Sequence, residues 1–178
     1  MQNALADALP LIRAAQAGDA AAFTSLIESH YDLMYRFALK FSGSAVDAED
    51  ITQQACIKLA RSITQFRFEA AFTTWLYRLV VNCARDWYRG KPDSATDSLT
   101  ENEASTATGN DPGEQMIMLQ QVLRQVDAMG EGFREAVTLV LGEGFSHREA
   151  GEILGVKEST ISWRIHETRK RLNLEADS

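Results

Sequence analysis

The sequence predicts an all-α protein: two small helical domains joined by a flexible acidic linker, the C-terminal one containing a helix-turn-helix. Three observations carry this. Apolar residues return at three- and four-residue spacing along the chain, with no strand-like alternation. Between Pro92 and Gly113 the composition falls to Ser, Thr, Asp, Gly and Asn, with almost nothing to bury. From Ser146 to Leu172, caps, glycines and an apolar plug lie in the register of two crossing helices. The expected domains are residues 1–91 and 114–178, with 92–113 as the linker.

Pro10 suits the first turn of a helix running to about Ala17, because a first-turn residue needs no N–H partner. Gly18 and Asp19 then stop it and cap a second helix, from about Ala20 to Lys40, whose wide apolar face includes Phe23, Leu26, Tyr31, Met34, Phe37 and Phe41. Ser44 and Asp47 form a capping pair for a third helix, about Ala45–Ser62. Its Ile51, Ala55, Leu59 and Ile63 face inward, while Asp50, Gln53, Gln54, Lys58 and Arg61 stay polar. A fourth helix, about Ala71–Arg89, has a core stripe of Trp75, Leu76, Leu79, Val80 and Cys83. It also carries a polar ladder of Thr74, Arg78, Asn82, Arg85 and Arg89. The loop before it, Gln65-Phe66-Arg67-Phe68-Glu69, sets aromatic beside basic residues. Aromatic faces stack on unpaired bases and arginine follows phosphates, so the loop suits single-stranded nucleic acid. Closure of the core is the other role open to Phe66 and Phe68.

Beyond the linker, periodicity returns with Met116, Leu119, Val122, Leu123 and Val126, and a further helix is expected around Phe133–Leu141 before the Gly142–Gly144 break. Ser146 and Glu149 have the spacing of a reciprocal capping box. The helix they start packs through Ala150, Gly151, Ile153 and Leu154; Gly151 leaves room for a second helix to cross. Gly155 ends it and Val156 plugs the turn. Ser159 or Thr160 opens the last helix, in which Ile161, Ile165, Thr168 and Leu172 form the inward stripe. The opposite face carries Ser159, Trp163, His166, Glu167 and Lys170, with Ser162 and Arg169 flanking one side and Arg164 and Arg171 the other. Residues in the N-terminal half of such a helix reach base edges, whereas Arg169, Lys170 and Arg171 suit phosphates. A solvated amphipathic helix would need none of this register.

A formal charge of −7 is unusual for a DNA-binding chain, but its distribution is uneven. Ile51–Lys91 carries seven basic and two acidic residues, or +5, whereas Pro92–Leu123 has six acidic residues and no basic one, or −6. Few phosphates can be neutralised, so free DNA should be bound weakly, with a larger partner supplying the non-specific attraction. No apolar run reaches membrane-spanning length and the N-terminus lacks a signal segment, so the expected location is cytoplasmic. Cys56, Cys83, His30, His147 and His166 have no metal-ligand spacing, which predicts reduced thiols, no metal and no cofactor. No nucleophile–base pair or phosphate-cradling glycine loop points to an enzyme.

The blocks DAEDITQQACIKLARSITQFRFEAAFTTWLYRLVVNCARDW, at Asp47–Trp87, and SHREAGEILGVKESTISWRIHETRKRL, at Ser146–Leu172, resemble the extracytoplasmic-function (group IV) sigma factors of bacterial RNA polymerase. The resemblance covers nearly the whole chain outside the linker. It implies a promoter-specificity subunit without catalytic chemistry, working with core polymerase (β′ clamp and β flap), promoter DNA and an anti-sigma factor. By position, Asp50, Gln53, Gln54 and Lys58 match the helix that docks on the β′ clamp. Phe66, Arg67 and Phe68 match the loop that captures an extruded −10 base, and Arg78, Asn82 and Arg85 match the helix that holds the melted strand. The −35 reader corresponds to Ser159, Thr160, Ser162, Trp163, Arg164, His166, Glu167, Arg169 and Lys170. Ser162 and Glu167 stand where the family often has arginine, so its base preference does not transfer; Phe68 and Glu69 replace a small, polar pair. Trp75, on the inward stripe, is expected in the core. The alternative is a self-sufficient helix-turn-helix regulator with an N-terminal dimerisation or effector domain, which would bind duplex operators tightly and symmetrically.

Overall fold

A computed structural model describes residues 3–90 and 112–173, whose regular elements are all helical, without strands. In order they form α1 (Asn3–Gln16), α2 (Ala20–Ser42), α3 (Ala45–Ser62) and α4 (Phe72–Gly90), then α5 (Pro112–Asp127), α6 (Phe133–Val137), α7 (His147–Leu154) and α8 (Glu158–Arg171). The predicted linker lies outside the described residues, except that α5 takes its last two, Pro112 and Gly113, as its first turn.

Local chemistry explains most boundaries. The Asp19 carboxylate accepts the N–H groups of Ala21 and Ala22 at 2.9 and 3.0 Å, satisfying orphan donors at the start of α2. Ser44 Oγ accepts the Asp47 N–H and opens α3. Both halves of the α7 capping box form: Ser146 N–H donates to Glu149 Oε2 (2.9 Å), and Glu149 N–H to Ser146 Oγ (3.2 Å). Gly155, at φ 69°, ends α7 in the left-handed region, where a Cβ would be strained.

Three expectations are corrected. The first helix begins at Asn3, so Pro10 stands inside it rather than at its start. The helix expected around Phe133–Leu141 is α-helical only to Val137 and then widens into a π turn over Thr138–Gly142, where Glu143 N–H reaches back to the Thr138 carbonyl at 2.9 Å. At the end of that turn the Gly142 carbonyl and the Glu143 carboxylate both accept from Lys40 of α2, each at 2.7 Å. Finally, neither Ser159 nor Thr160 caps α8. Lys157 is the N-cap and contributes its carbonyl, while Glu158 puts a negative charge in the first turn, where the helix dipole favours it.

In the N-terminal module α2, α3 and α4 pack through Leu26, Met34, Phe37, Ile51, Leu59, Leu76 and Val80, all fully buried. Each large side chain withdrawn from water in this way contributes about 1.5–3 kcal/mol. The second module closes α6, α7 and α8 around Leu139, Ala150, Ile153, Ile161 and Ile165. The two modules are not apart: α6 and its π turn lie against α2, α7 lies against α4, and the buried apolar residues form one continuous cluster.

Candidate nucleic-acid interface

The loop ahead of α4 is held from beneath by α1. Gln16 Nε2 donates to the carbonyls of Ile63 and Phe66, each at 2.9 Å, and so fixes where the loop leaves α3. Its two phenylalanines then part ways. Phe66 is only 5% exposed and packs on Phe72 and Trp75 with centroids 5.3 and 5.5 Å apart, so it closes the core. Phe68 is 38% exposed, at φ 59°. A bulky residue persists in that left-handed region only where its surroundings hold it; here its ring lies 4.8 Å from that of Phe66, and the Arg13 guanidinium sits 5.5 Å from its centroid. With Arg67 exposed between them, Phe68 is the aromatic face available for stacking. Trp75 is half-buried against Phe66 and Phe72 and belongs with the core, as its place on the stripe implies.

On α4 the ladder is straight, but its arginines are engaged. Arg78 donates from Nε to the Glu152 carbonyl of α7 at 3.0 Å. Arg85 Nε meets Glu135 Oε1 of α6 at 2.6 Å, and Arg89 reaches Glu131 at 3.4 Å. Asn82 is exposed between them. Just beside the ladder, Tyr77 donates to Glu143 Oε2 at 2.8 Å and its ring stacks edge-on against Phe145 at 4.8 Å. Burial, and the Glu143 carboxylate that its proton serves, push the Tyr77 hydroxyl far above the usual range, so it remains a donor.

The recognition helix presents a different picture. Ile161, Ile165 and Thr168 are buried, and Ser159, His166, Arg169 and Lys170 are exposed. Thr160, Ser162 and Glu167 are half-buried at the margins. Trp163 is 55% exposed and braced at 5.3 Å by the ring of Phe133, while Ser162 Oγ lies 2.9 Å from His147 Nδ1 of α7. Arg164 departs from the rest of the predicted set: its guanidinium lies directly over Gly132, and its Nε is buried without a hydrogen-bond partner, so it faces the module's interior side. The exposed part of the predicted reader is therefore Ser159, Trp163 and His166, with Arg169 and Lys170 next to it.

Asp50, Gln53 and Gln54 share one side of α3, and Asp50 and Gln53 border an open groove with Tyr31, Tyr35, Glu49 and Cys56. Lys58 sits one turn on, where its ammonium donates to Asp86 at 2.7 Å; that hydrogen bond raises its pKa. Burial also raises both thiols, Cys83 to about 11, so neither is a ready thiolate. Among the described residues no three His, Cys, Asp or Glu side chains group as metal ligands, and no helix is long and apolar enough to cross a membrane.

Sequence reasoning missed Gln16 and Arg13, which brace the loop, and Glu131, Glu135, Glu143 and Arg134, which join the modules. None sits in a motif; only three-dimensional proximity reveals them.

Comparison with known proteins agrees with both ends of this arrangement. Residues 26–92 match the model of Sigma-70 region 2, and residues 119–172 that of Sigma-70 region 4. The ECF RNA polymerase sigma factor SigE of Mycolicibacterium smegmatis is 34% identical over 163 residues, covering 87% of this chain; the chain spans 63% of that relative's length. The ECF RNA polymerase sigma-E factor of Escherichia coli K12 is 30% identical over 174 residues, covering 92% of this chain and 91% of the relative. The fold also matches the sigma factor RpoE from Bartonella quintana, solved in complex with the anti-sigma factor NepR, with a TM-score of 0.62 at 24% identity over 88% of this chain and 98% of that one. With region 2 and region 4 in order on one helical chain, and similarity running nearly end to end, this protein belongs to the ECF RNA polymerase sigma factor family.

Proposed function

We propose that this chain, acting in the cytoplasm, carries core RNA polymerase to promoters by dividing recognition between its two modules, residues 1–91 and 114–178. In this reading α8 enters the major groove at −35, where Ser159, Trp163 and His166 meet base edges and Arg169 and Lys170 meet phosphates. The N-terminal module holds single strand at −10. There Phe68 stacks on an extruded base, Arg67, Arg78 and Arg85 follow the backbone, and Asn82 offers an amide to a base edge. Asp50, Gln53 and Gln54, beside the tyrosine-lined groove, face the polymerase clamp. The observation that carries the reading is the pairing, on one chain, of an outward recognition helix with an aromatic-basic loop feeding an arginine ladder.

Control by an anti-sigma factor is part of the proposal, supported by the Bartonella quintana relative, whose solved form is bound to one. The test is reconstitution with core polymerase and run-off transcription over a promoter library. Initiation at a defined subset of promoters, lost without this chain, is the expected result. Tight binding to duplex DNA by the chain alone, with no binding to core, would instead identify a self-sufficient regulator.

A further inference from the structure

Helix α1 contributes two side chains to the loop ahead of α4, and both hold it by specific chemistry. Gln16 uses both hydrogens of its amide, donating to the Ile63 carbonyl in the 3-10 turn Ile63–Gln65 and to the Phe66 carbonyl, each at 2.9 Å. Only an NH2 group can serve two carbonyl oxygens at once, so the amide nitrogen must face the loop. Three residues earlier, on the same face of α1, Arg13 is exposed and lays its guanidinium over the Phe68 ring, 5.5 Å from the centroid. Among the described residues no carboxylate pairs with Arg13. Its partner is an exposed ring on a backbone at φ 59°, in the left-handed region that bulky residues avoid. A cation resting on a ring at the surface is held weakly, because water competes for the charge; the two are easily parted.

Resting on the role given above to Phe68, we propose that Arg13 is a further −10 binding residue. The extruded base enters between the Phe68 ring and the Arg13 guanidinium and is held on both faces, and Gln16 is the positioning residue that fixes the ring side of the gap. Planar guanidinium groups stack on bases as aromatic rings do. A base needs about 3.5 Å on either side, roughly 7 Å in all, so Arg13 has to lift by about 1.5 Å from where it rests. A long, exposed side chain makes that movement freely. The Phe68 ring cannot retreat, because Phe66 backs it at 4.8 Å and is itself buried in the core and tied through its carbonyl to Gln16. In the free chain Arg13 thus fills the place of the base and shields part of the ring. Capture exchanges one contact for another: the cation leaves the phenyl face and lies on the base.

Arg13→Met, Arg13→Lys and Gln16→Met test it in the full-length chain assembled with core polymerase. The probe is a fluorescein-labelled single strand carrying the non-template −10 sequence of a promoter recovered from the run-off library, with an abasic site moved through it one position at a time. Anisotropy titrations of the parent locate the captured base as the position whose removal costs most, and Phe68→Ala should erase that cost. Arg13→Met is expected to lose about tenfold in affinity on the intact strand and little on the strand abasic at that position. Arg13→Lys should behave as Arg13→Met does, because an ammonium keeps the charge but not the plane. Gln16→Met should lose affinity in the same base-dependent way, since the ring then loses its backing; a merely structural role would cut binding to both strands alike. If Arg13→Met matches the parent or loses equally on both strands, or if Arg13→Lys binds as the parent does, the sandwich is wrong and the sigma reading stands. Circular dichroism checks folding, and should Gln16→Met fail to fold, the Arg13 variants alone decide. If Phe68→Ala leaves the abasic profile unchanged, the capture role of Phe68 falls and the sandwich falls with it.

Discussion

Replacing Gly151 with alanine sets two opposed effects against each other, and the structure decides the sign. Within a helix, alanine is favoured over glycine by about 0.5–1 kcal/mol, so propensity alone predicts a more stable α7. A Cβ on Gly151, however, would stand 2.8 Å from the Val156 carbonyl oxygen and 3.4 Å from the Glu158 nitrogen. The first belongs to the turn joining α7 to α8 and the second to the first residue of α8, and the turn is tied down by the Val156 N–H bond to the Gly151 carbonyl at 3.0 Å. Relief therefore requires α8 to move relative to α7. Overpacking of this kind costs about 1–3 kcal/mol, which at mid-range leaves a net loss of about 1 kcal/mol after the propensity gain. For a chain of this size that lowers the melting temperature by roughly 2–4 °C. Thermal unfolding by circular dichroism measures it, with Gly90→Ala, where a Cβ meets nothing, as the control. Binding of −35 duplex should weaken in parallel if the displaced helix is the reader proposed above. A higher melting temperature for Gly151→Ala would refute the argument, since it would mean the turn yields freely.

Asn82→Ala should impair open-complex formation by about tenfold while leaving core binding unchanged, because the amide is exposed on α4 and outside the core; equal losses in both assays would indicate a folding defect. Trp163→Ala should alter −35 base preference by about 1–3 kcal/mol at one position, whereas Lys170→Ala should weaken all sequences alike and lower the salt slope by about one, both read from duplex titrations at several salt concentrations. Cys83 should resist thiol reagents at pH 8, its thiol being pushed to about 11 by burial. The sign follows: an acid whose folded pKa is raised stabilises the fold below the unfolded value near 9, and that stability is lost as the pH climbs from 9 towards 11, visible as a falling melting temperature.

The elements were legible because their signals are local. Asp19, Ser44 and the Ser146–Glu149 pair mark helix starts through bonds spanning two or three residues, and the apolar stripes of α2, α3 and α8 need only periodicity to be found. The π turn was not legible: Thr138–Gly142 has a helical pattern, and the wider winding shows only in the Glu143 N–H bond back to the Thr138 carbonyl. The site was legible as a set of residues but not as an arrangement. Spacing puts Arg164 on the polar margin of α8; the space above Gly132 then draws it inward. Spacing likewise treats Phe66 and Phe68 as equals, whereas Gln16, fifty residues before Phe66, fixes which of them is buried.

The acidic balance of the chain takes on a second meaning from the docked arrangement. A net charge of −7 already limits attraction to DNA through simple phosphate counting. Part of that negative charge, at Glu131, Glu135 and Glu143, is set against the cations and hydroxyl of the N-terminal module, so it does more than repel DNA at a distance. The two effects respond differently to salt. Phosphate attraction and the exposed Arg89–Glu131 pair are screened, but the pair at Glu135 is shielded from solvent and persists. Raising ionic strength should therefore weaken strand binding without freeing Arg85.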